Sequence, residues 1–232
     1  MTTGADLKVR SDARCYAAMI AVSLFVVAAA GLQPRLNAQE RHGRLFPPQD
    51  LGLLEGPDRE AWQKPDQIMD ALAVADGASV ADIGAGAGWF TIQLARRVGP
   101  NGKVFAQDVQ RQMLEAIRRR VSREGLQNVE TRLGAGSNPN LPTGGLDAVL
   151  VVDVYPEVDD RVAFLRNLAA ALKRNGRIGI VNYKPGRGGP GPVGAEGSRV
   201  EAAVVEADAR AAGLRVLTRA QLPYQYLLVL GR

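Results

Sequence analysis

Short apolar runs alternate with amphipathic stretches from residue 79 to the C-terminus. Val80, Ala81 and Ile83 form the first run, of the kind used in a buried parallel strand. Phe90, Leu94 and Val98 then recur at helical spacing. Asn101-Gly102 turns the chain into a second strand, Lys103 to Gln107, ending at Asp108. A helix is predicted over about 110–124, burying Met113, Leu114, Ile117 and Val121. Asn128–Leu133 and Leu146–Asp153 read as the third and fourth strands. A helix over about 158–174 carries Val162, Leu165, Ala169 and Leu172 on one face, with Asn175-Gly176 as its stop. Arg177–Val181 is the fifth strand, and residues 182–198 form a Gly/Pro-rich loop without periodicity. A helix over about 199–212, stopped by Gly213, precedes two last strands, Leu214–Arg219 and Tyr224–Leu230. The alternation predicts an α/β fold with seven strands.

Between the first strand and its helix lies Asp82-Ile83-Gly84-Ala85-Gly86-Ala87-Gly88-Trp89. Glycines at alternate positions permit a tight turn and close approach of backbone to a ligand. The helix N-terminus beyond them offers N–H groups to an anionic group. The dinucleotide fingerprint G-x-G-x-x-G needs a glycine where Trp89 stands, which disfavours a nicotinamide oxidoreductase. Asp108 lies 20 residues past Gly88, at the tip of the second strand. A carboxylate there accepts from both hydroxyls of a ribose and repels a 2′-phosphate, or else caps the next helix.

Upstream, residues 39–66 are an irregular arm rich in Pro, Gly and charge. Asp66 is placed to cap a helix with Ile68, Met69, Leu72 and Ala73 on its apolar face. Residues 1–38 read as a targeting segment: Lys8, Arg10 and Arg14 precede an apolar stretch from Cys15 to Leu32. It is a signal peptide cleaved near Ala38 or Ala30, or an N-terminal membrane anchor through residues 15–32. Both put the body outside the cytoplasm, in the periplasm or on the membrane; a mis-assigned start codon would leave it cytoplasmic. The body proper is then 67–232.

The formal net charge is +5, of which +2 sits in the leader. The rest is too mild to argue for nucleic acid. The arginines at 111, 118, 119, 120 and 123 read as a solvated helix face. The one cysteine, Cys15, lies in the leader, and the one histidine, His42, in the polar tail. No disulfide, thiol nucleophile, histidine triad or cysteine–histidine metal site can be built in the body.

The pattern Asp82-x-Gly84-x-Gly86-x-Gly88 followed by Asp108 resembles the class I S-adenosylmethionine-dependent methyltransferases. The segment Arg59-Glu-Ala-Trp62-Gln63-Lys-Pro65 resembles the Arg-x-x-Trp-Gln-x-Pro arm of one bacterial group in that family. The resemblance covers about residues 58–232. It implies a Rossmann-like, doubly wound seven-stranded sheet with helices on both faces, its last strand antiparallel between the fifth and sixth. It implies S-adenosylmethionine as cofactor: the methionine part admitted by Gly84, Gly86 and Gly88, its ammonium oriented by Asp82, and the ribose held by Asp108. The loop after the third strand lacks the family's adenine-contacting acid, so Ser137 or Asn138 would accept from the adenine amine. The group usually has His where this chain has Pro156, which cannot carry a proton. Asp153, Tyr155 and Glu157 remain as polar groups at the end of the fourth strand, Asp153 as a further cofactor-binding residue and Tyr155 and Glu157 as the catalytic candidates; Asp153 and Glu157 also suit capping of the next helix. The arm around Trp62 either covers the cofactor or only packs on the core edge. The implied activity is methyl transfer to an unidentified acceptor, a small molecule foremost. The other reading is a non-catalytic methyltransferase-like binding protein at the cell envelope.

Overall fold

The computed structural model describes residues 45–48, 50, 52, 56–186 and 199–232. The leader and most of the loop at 182–198 lie outside the described residues. The chain divides into two units, Met1–Leu45 and Phe46–Arg232. The second unit holds the C-terminal part of the arm and all seven strands.

Two short helices, α1 (Arg59–Gln63) and α2 (Pro65–Ala71), lead into β1 (Ser79–Ile83). Next come α3 (Trp89–Val98), β2 (Lys103–Asp108), α4 (Arg111–Arg123), β3 (Val129–Leu133) and β4 (Leu146–Val152). A 3-10 turn, Tyr155–Glu157, precedes α5 (Arg161–Ala171) and β5 (Leu172–Tyr183). α6 (Ala202–Ala211), β6 (Arg215–Gln221) and β7 (Gln225–Gly231) complete the chain. The seven strands lie in the order β3-β2-β1-β4-β5-β7-β6. β1 to β5 are parallel to their neighbours, and β7 enters antiparallel between β5 and β6. The seven-stranded sheet with an antiparallel last strand is the one expected.

Side chains on opposite faces of the sheet feed two cores, as period-2 alternation requires. On one face Val80, Val104, Leu150 and Val229 meet Ile68 and Leu72 of the α2 segment and Phe90, Leu94 and Val98 of α3. On the other, Ala81, Ile83, Val149, Ile180 and Leu228 meet Leu165 and Leu168 of α5 and Val205 of α6. A smaller cluster seats Leu114 and Ile117 of α4 against Ala106 of β2. Every residue of β7 is buried, whereas the edge strand β6 is largely exposed. Burying each large aliphatic side chain is worth ~1.5–3 kcal/mol, so these faces, more than helix propensity, hold the elements.

Several local expectations differ. The helix expected over 158–174 starts later because Asp160, not Asp153 or Glu157, caps it, accepting from the Ala163 N–H at 2.9 Å. It also ends earlier: Leu172 is already extended and pairs with Leu146. The strand runs from Leu172 to Arg177 while β4 advances only from Leu146 to Ala148, so Asn175-Gly176 lies in a bulge and stops no helix. A Cβ on Gly176 would stand 2.8 Å from the Leu146 carbonyl oxygen; close strand approach is what calls for glycine there. Asp66 is not a cap: Lys64, at φ 54°, precedes Pro65 at the first helical position. Ala73 is exposed at φ 54°, outside the expected apolar face, and Val121 is only half-buried.

Candidate functional site

The carboxyl ends of β1, β2 and β4 lie side by side, because β1 pairs with both β2 and β4. Gly84, Gly86 and Gly88 all adopt left-handed conformations, at φ 63°, 54° and 80°. Gly84 is further constrained by space: a Cβ would stand 2.2 Å from Val154 Cγ2. The loop is tied to β2 by the Ala85 N–H, which donates to the Gln107 carbonyl at 2.9 Å. The Gly84 N–H donates to Gln107 Oε1 at 3.4 Å.

Asp108 is buried at the end of β2. One carboxylate oxygen accepts from the Gly86 N–H at 3.0 Å and the other from the Gln110 N–H at 2.9 Å. The second bond ties the chain entering α4, so the capping and ligand-binding readings of Asp108 are compatible. An ionised carboxylate has about four acceptor positions, so the backbone donors at Gly86, Val109 and Gln110 do not exhaust it. Burial raises its pKa, and the N–H donors oppose that rise.

Asp82 is buried near the end of β1 and accepts from the Thr91 hydroxyl at 2.6 Å. Burial pushes its pKa up to about 6, against the Thr91 bond.

Beyond β4 the arrangement is different in kind. Asp153 stands at φ 57°, a left-handed conformation that few side chains tolerate. It is held there by its own carboxylate, which accepts from the Tyr183 N–H at 3.2 Å and from Gln225 Nε2 at 2.6 Å. Burial pushes its pKa up to about 7, opposed by these bonds and by Arg59 and Arg199. Glu157 is solvent-exposed as a residue, yet its carboxyl is crowded by protein. That desolvation, with the negative charges of Asp108 and Asp153, raises its pKa to about 7. Asp108, Asp153 and Glu157 therefore form one acidic rim in which Glu157 is less readily ionised because of the other two.

Tyr155 does not join that rim. It is fully buried in the core beneath, and its hydroxyl donates to Asp208 of α6 at 2.8 Å. Burial and the Asp208 carboxylate both raise its pKa far above the ordinary phenol range. The expectation that it faces an acceptor is corrected by this placement.

Ser137 and Asn138 occupy a turn after β3, closed by reciprocal backbone bonds between Ala135 and Asn138 at 2.9 Å. The turn adjoins β2 through the Gly134 N–H, which donates to the Asp108 carbonyl at 3.1 Å. Asn138 is exposed, with its side-chain oxygen accepting from the Asn140 N–H at 2.9 Å. Ser137 is half-buried, and its carbonyl accepts from Asn167 at 3.0 Å.

The arm touches both ends of this region. The Arg59 guanidinium lies 4.4 Å from the centre of the Trp89 ring, the residue that follows the glycine loop. The Phe46 carbonyl accepts from the Gln110 side chain at 3.0 Å. Trp62 packs against Tyr183 and Tyr224 with ring centres 6.1 Å apart in each pair. Sequence reasoning placed Gln63 in the arm signature without a role of its own, and missed Gln107 and Gln225. Gln225 carried a signal, as a polar residue leading a wholly apolar strand.

A family described as a methyltransferase domain matches residues 80–176. Nocamycin O-methyltransferase of Saccharothrix syringae is 32% identical over 51% of this chain and 42% of the relative. Demethylmenaquinone methyltransferase of Listeria monocytogenes is 28% identical over 52% of this chain and 50% of the relative. The chain thus spans half or less of the length of these curated relatives. A solved S-adenosylmethionine-dependent methyltransferase from Aquifex aeolicus superposes with a TM-score of 0.75 at 26% identity, over 80% of this chain and 98% of that one.

Proposed function

We propose that this chain, whose residues 80–176 match a methyltransferase domain and whose fold superposes on a solved S-adenosylmethionine-dependent methyltransferase, is a class I S-adenosylmethionine-dependent methyltransferase that transfers a methyl group to a small organic acceptor. The observation that carries the reading is the loop Gly84–Gly88, left-handed at three alternate glycines and tied by Gly86 to the Asp108 carboxylate. The residues suit this cofactor. The acceptor capacity that the backbone leaves on the Asp108 carboxylate suits a ribose hydroxyl. The glycines leave room for the methionine part against β1. The acidic rim suits a ligand that carries an ammonium and a sulfonium. Asp82 supports the loop from beneath and orients the ammonium, directly or through water. Ser137 or Asn138 accepts from the adenine amine.

Bound there, the cofactor supplies an electrophilic methyl carbon. The chain's own work is to hold an acceptor in line with it, which accounts for most of the catalysis in such a displacement. Glu157, with its carboxyl raised to about 7, is suited to take the proton that an acceptor hydroxyl or amine releases. Pro156 cannot do so, and Tyr155 is bonded to Asp208. A small acceptor is favoured because the two curated relatives are named for nocamycin and demethylmenaquinone. The leader argues for export or anchoring, which N-terminal sequencing of the membrane and soluble fractions tests.

Calorimetry on the full-length chain with S-adenosylmethionine, S-adenosylhomocysteine and NAD tests the central reading. Both adenosyl ligands bind and NAD does not; Asp108→Ala weakens them at least about tenfold, ~1.4 kcal/mol. Failure of either adenosyl ligand to bind sinks the proposal. Binding without turnover on a panel of hydroxylated, amino and quinol acceptors favours a non-catalytic binding protein instead.

A further inference from the structure

Four side chains from three distant parts of the chain form one directional line of hydrogen bonds. Arg59 Nε donates to Gln63 Oε1. Gln63 Nε2 donates to Gln225 Oε1 at 3.1 Å, and Gln225 Nε2 donates to Asp153 Oδ2 at 2.6 Å. Gln63 and Gln225 are both completely buried. A buried amide can be turned either way round, and each choice here is dictated by its neighbour. The guanidinium has only donors, so it selects the Gln63 oxygen; that leaves the Gln63 N–H for the Gln225 oxygen and the Gln225 N–H for the carboxylate. The line therefore runs from a cation to an anion with both amide dipoles aligned between them. Such an arrangement strengthens each bond and favours the charged carboxylate.

We propose that Gln63 and Gln225 are positioning residues that favour the ionised form of Asp153 and hold it in its left-handed conformation, so that the arm biases the charge on the acceptor side of the site. The inference rests on the functional reading above for what that charge serves, since an ionised Asp153 favours a cationic cofactor and crowds Glu157. Arg59 links the same arm to Trp89, so one helix bears on the cofactor loop and on the β4 end together. The groups facing Asp153 are Arg59 from α1, Tyr183 from β5, Tyr226 from β7, Arg199 ahead of α6, and Glu157 from the 3-10 turn. The two arginines favour its ionised form, and Glu157 opposes it. Gln225→Met removes no bond to any of these groups, whereas Gln63→Met also releases Arg59, so the Gln225 variant is the cleaner reading.

The test needs no ligand. The carboxyl carbon of Asp153 is followed by 13C NMR in the full-length protein, assigned by its loss in Asp153→Asn, and titrated in wild type, Gln63→Met and Gln225→Met. Methionine keeps the volume and removes the amide. The expected result is a wild-type midpoint near neutral pH, raised by at least half a unit in both variants. That is about a threefold rise in proton affinity. Arg59→Gln, at the half-buried head of the line, raises it in the same direction and serves if the glutamine variants do not fold. Folded variants in which Asp153 titrates as in wild type overturn the proposal, whatever their melting temperatures. Loss of adenosyl-ligand binding by the wild type would instead overturn the functional reading and leave this titration standing.

Discussion

The glycine-loop end of the sheet and the β4 end lie next to each other and are built by opposite means. At the first, backbone does the work: three left-handed glycines and N–H groups that point at Asp108, from partners 2 and 22 residues away. At the second, side chains do it, with Gln63 and Gln225 lying 162 residues apart and Gln225 and Asp153 lying 72 apart. Even the left-handed residue differs: glycine adopts that conformation freely, whereas Asp153 is held in it by the bonds its carboxylate makes. A backbone cradle exists once the local chain is folded. A chain of oriented amides exists only after β7 has inserted beside β5. Under the proposed function, the difference separates a cofactor cradle from the groups that adjust the chemistry beside it.

The sharpest way to break the contrast is Gly84→Ala. The left-handed conformation and the overlap with Val154 together should cost about 2–4 kcal/mol in urea unfolding, with adenosyl-ligand binding lost. Adding Val154→Ala should return part of the stability; no recovery would mean that the conformation alone sets the requirement.

A smaller effect comes from pH. Asp82 and Asp153 have folded pKa values of about 6 and about 7, above their unfolded values. The folded state holds more protons in between, so their contribution is full below about pH 4 and lost as pH rises through 6 and 7. Glu130, Asp147 and Glu206 have lowered pKa values, and their contribution is lost only as pH falls below about 4. The unliganded protein should therefore melt several degrees higher at about pH 6 than at about pH 8, an effect on the order of 2 kcal/mol. A cationic ligand should flatten that slope; a melting temperature that rises towards pH 8 without ligand would contradict the burial of these carboxyls.

Thr91→Val removes the hydroxyl that donates to buried Asp82 and should destabilise by about 1–2 kcal/mol, with a rise in the Asp82 midpoint. The smallest effect is expected for Tyr155→Phe, at about 1 kcal/mol from the lost bond to Asp208, with methyl transfer unchanged. A large fall in turnover with stability intact would return Tyr155 to the acceptor side.

The sequence by itself determined the sheet and its cofactor end. Alternating apolar runs, glycines two apart and an acid 20 residues on are local patterns with local causes, and the folded chain places Gly84, Gly86, Gly88 and Asp108 together. Tertiary structure alone decided the rest. Asn175-Gly176 spells a helix stop, but Leu172 pairs with Leu146 and draws both residues into a strand bulge. Tyr155 sits two residues from Glu157, yet the turn through Pro156 sends one into the core and leaves the other at the surface. Gln63 and Gln225 carry no pattern that links them, because an amide's partner and its orientation are chosen by packing across the sheet. Backbone conformation is written within a few residues of chain; the charge of a buried carboxylate is written by whatever the fold brings against it.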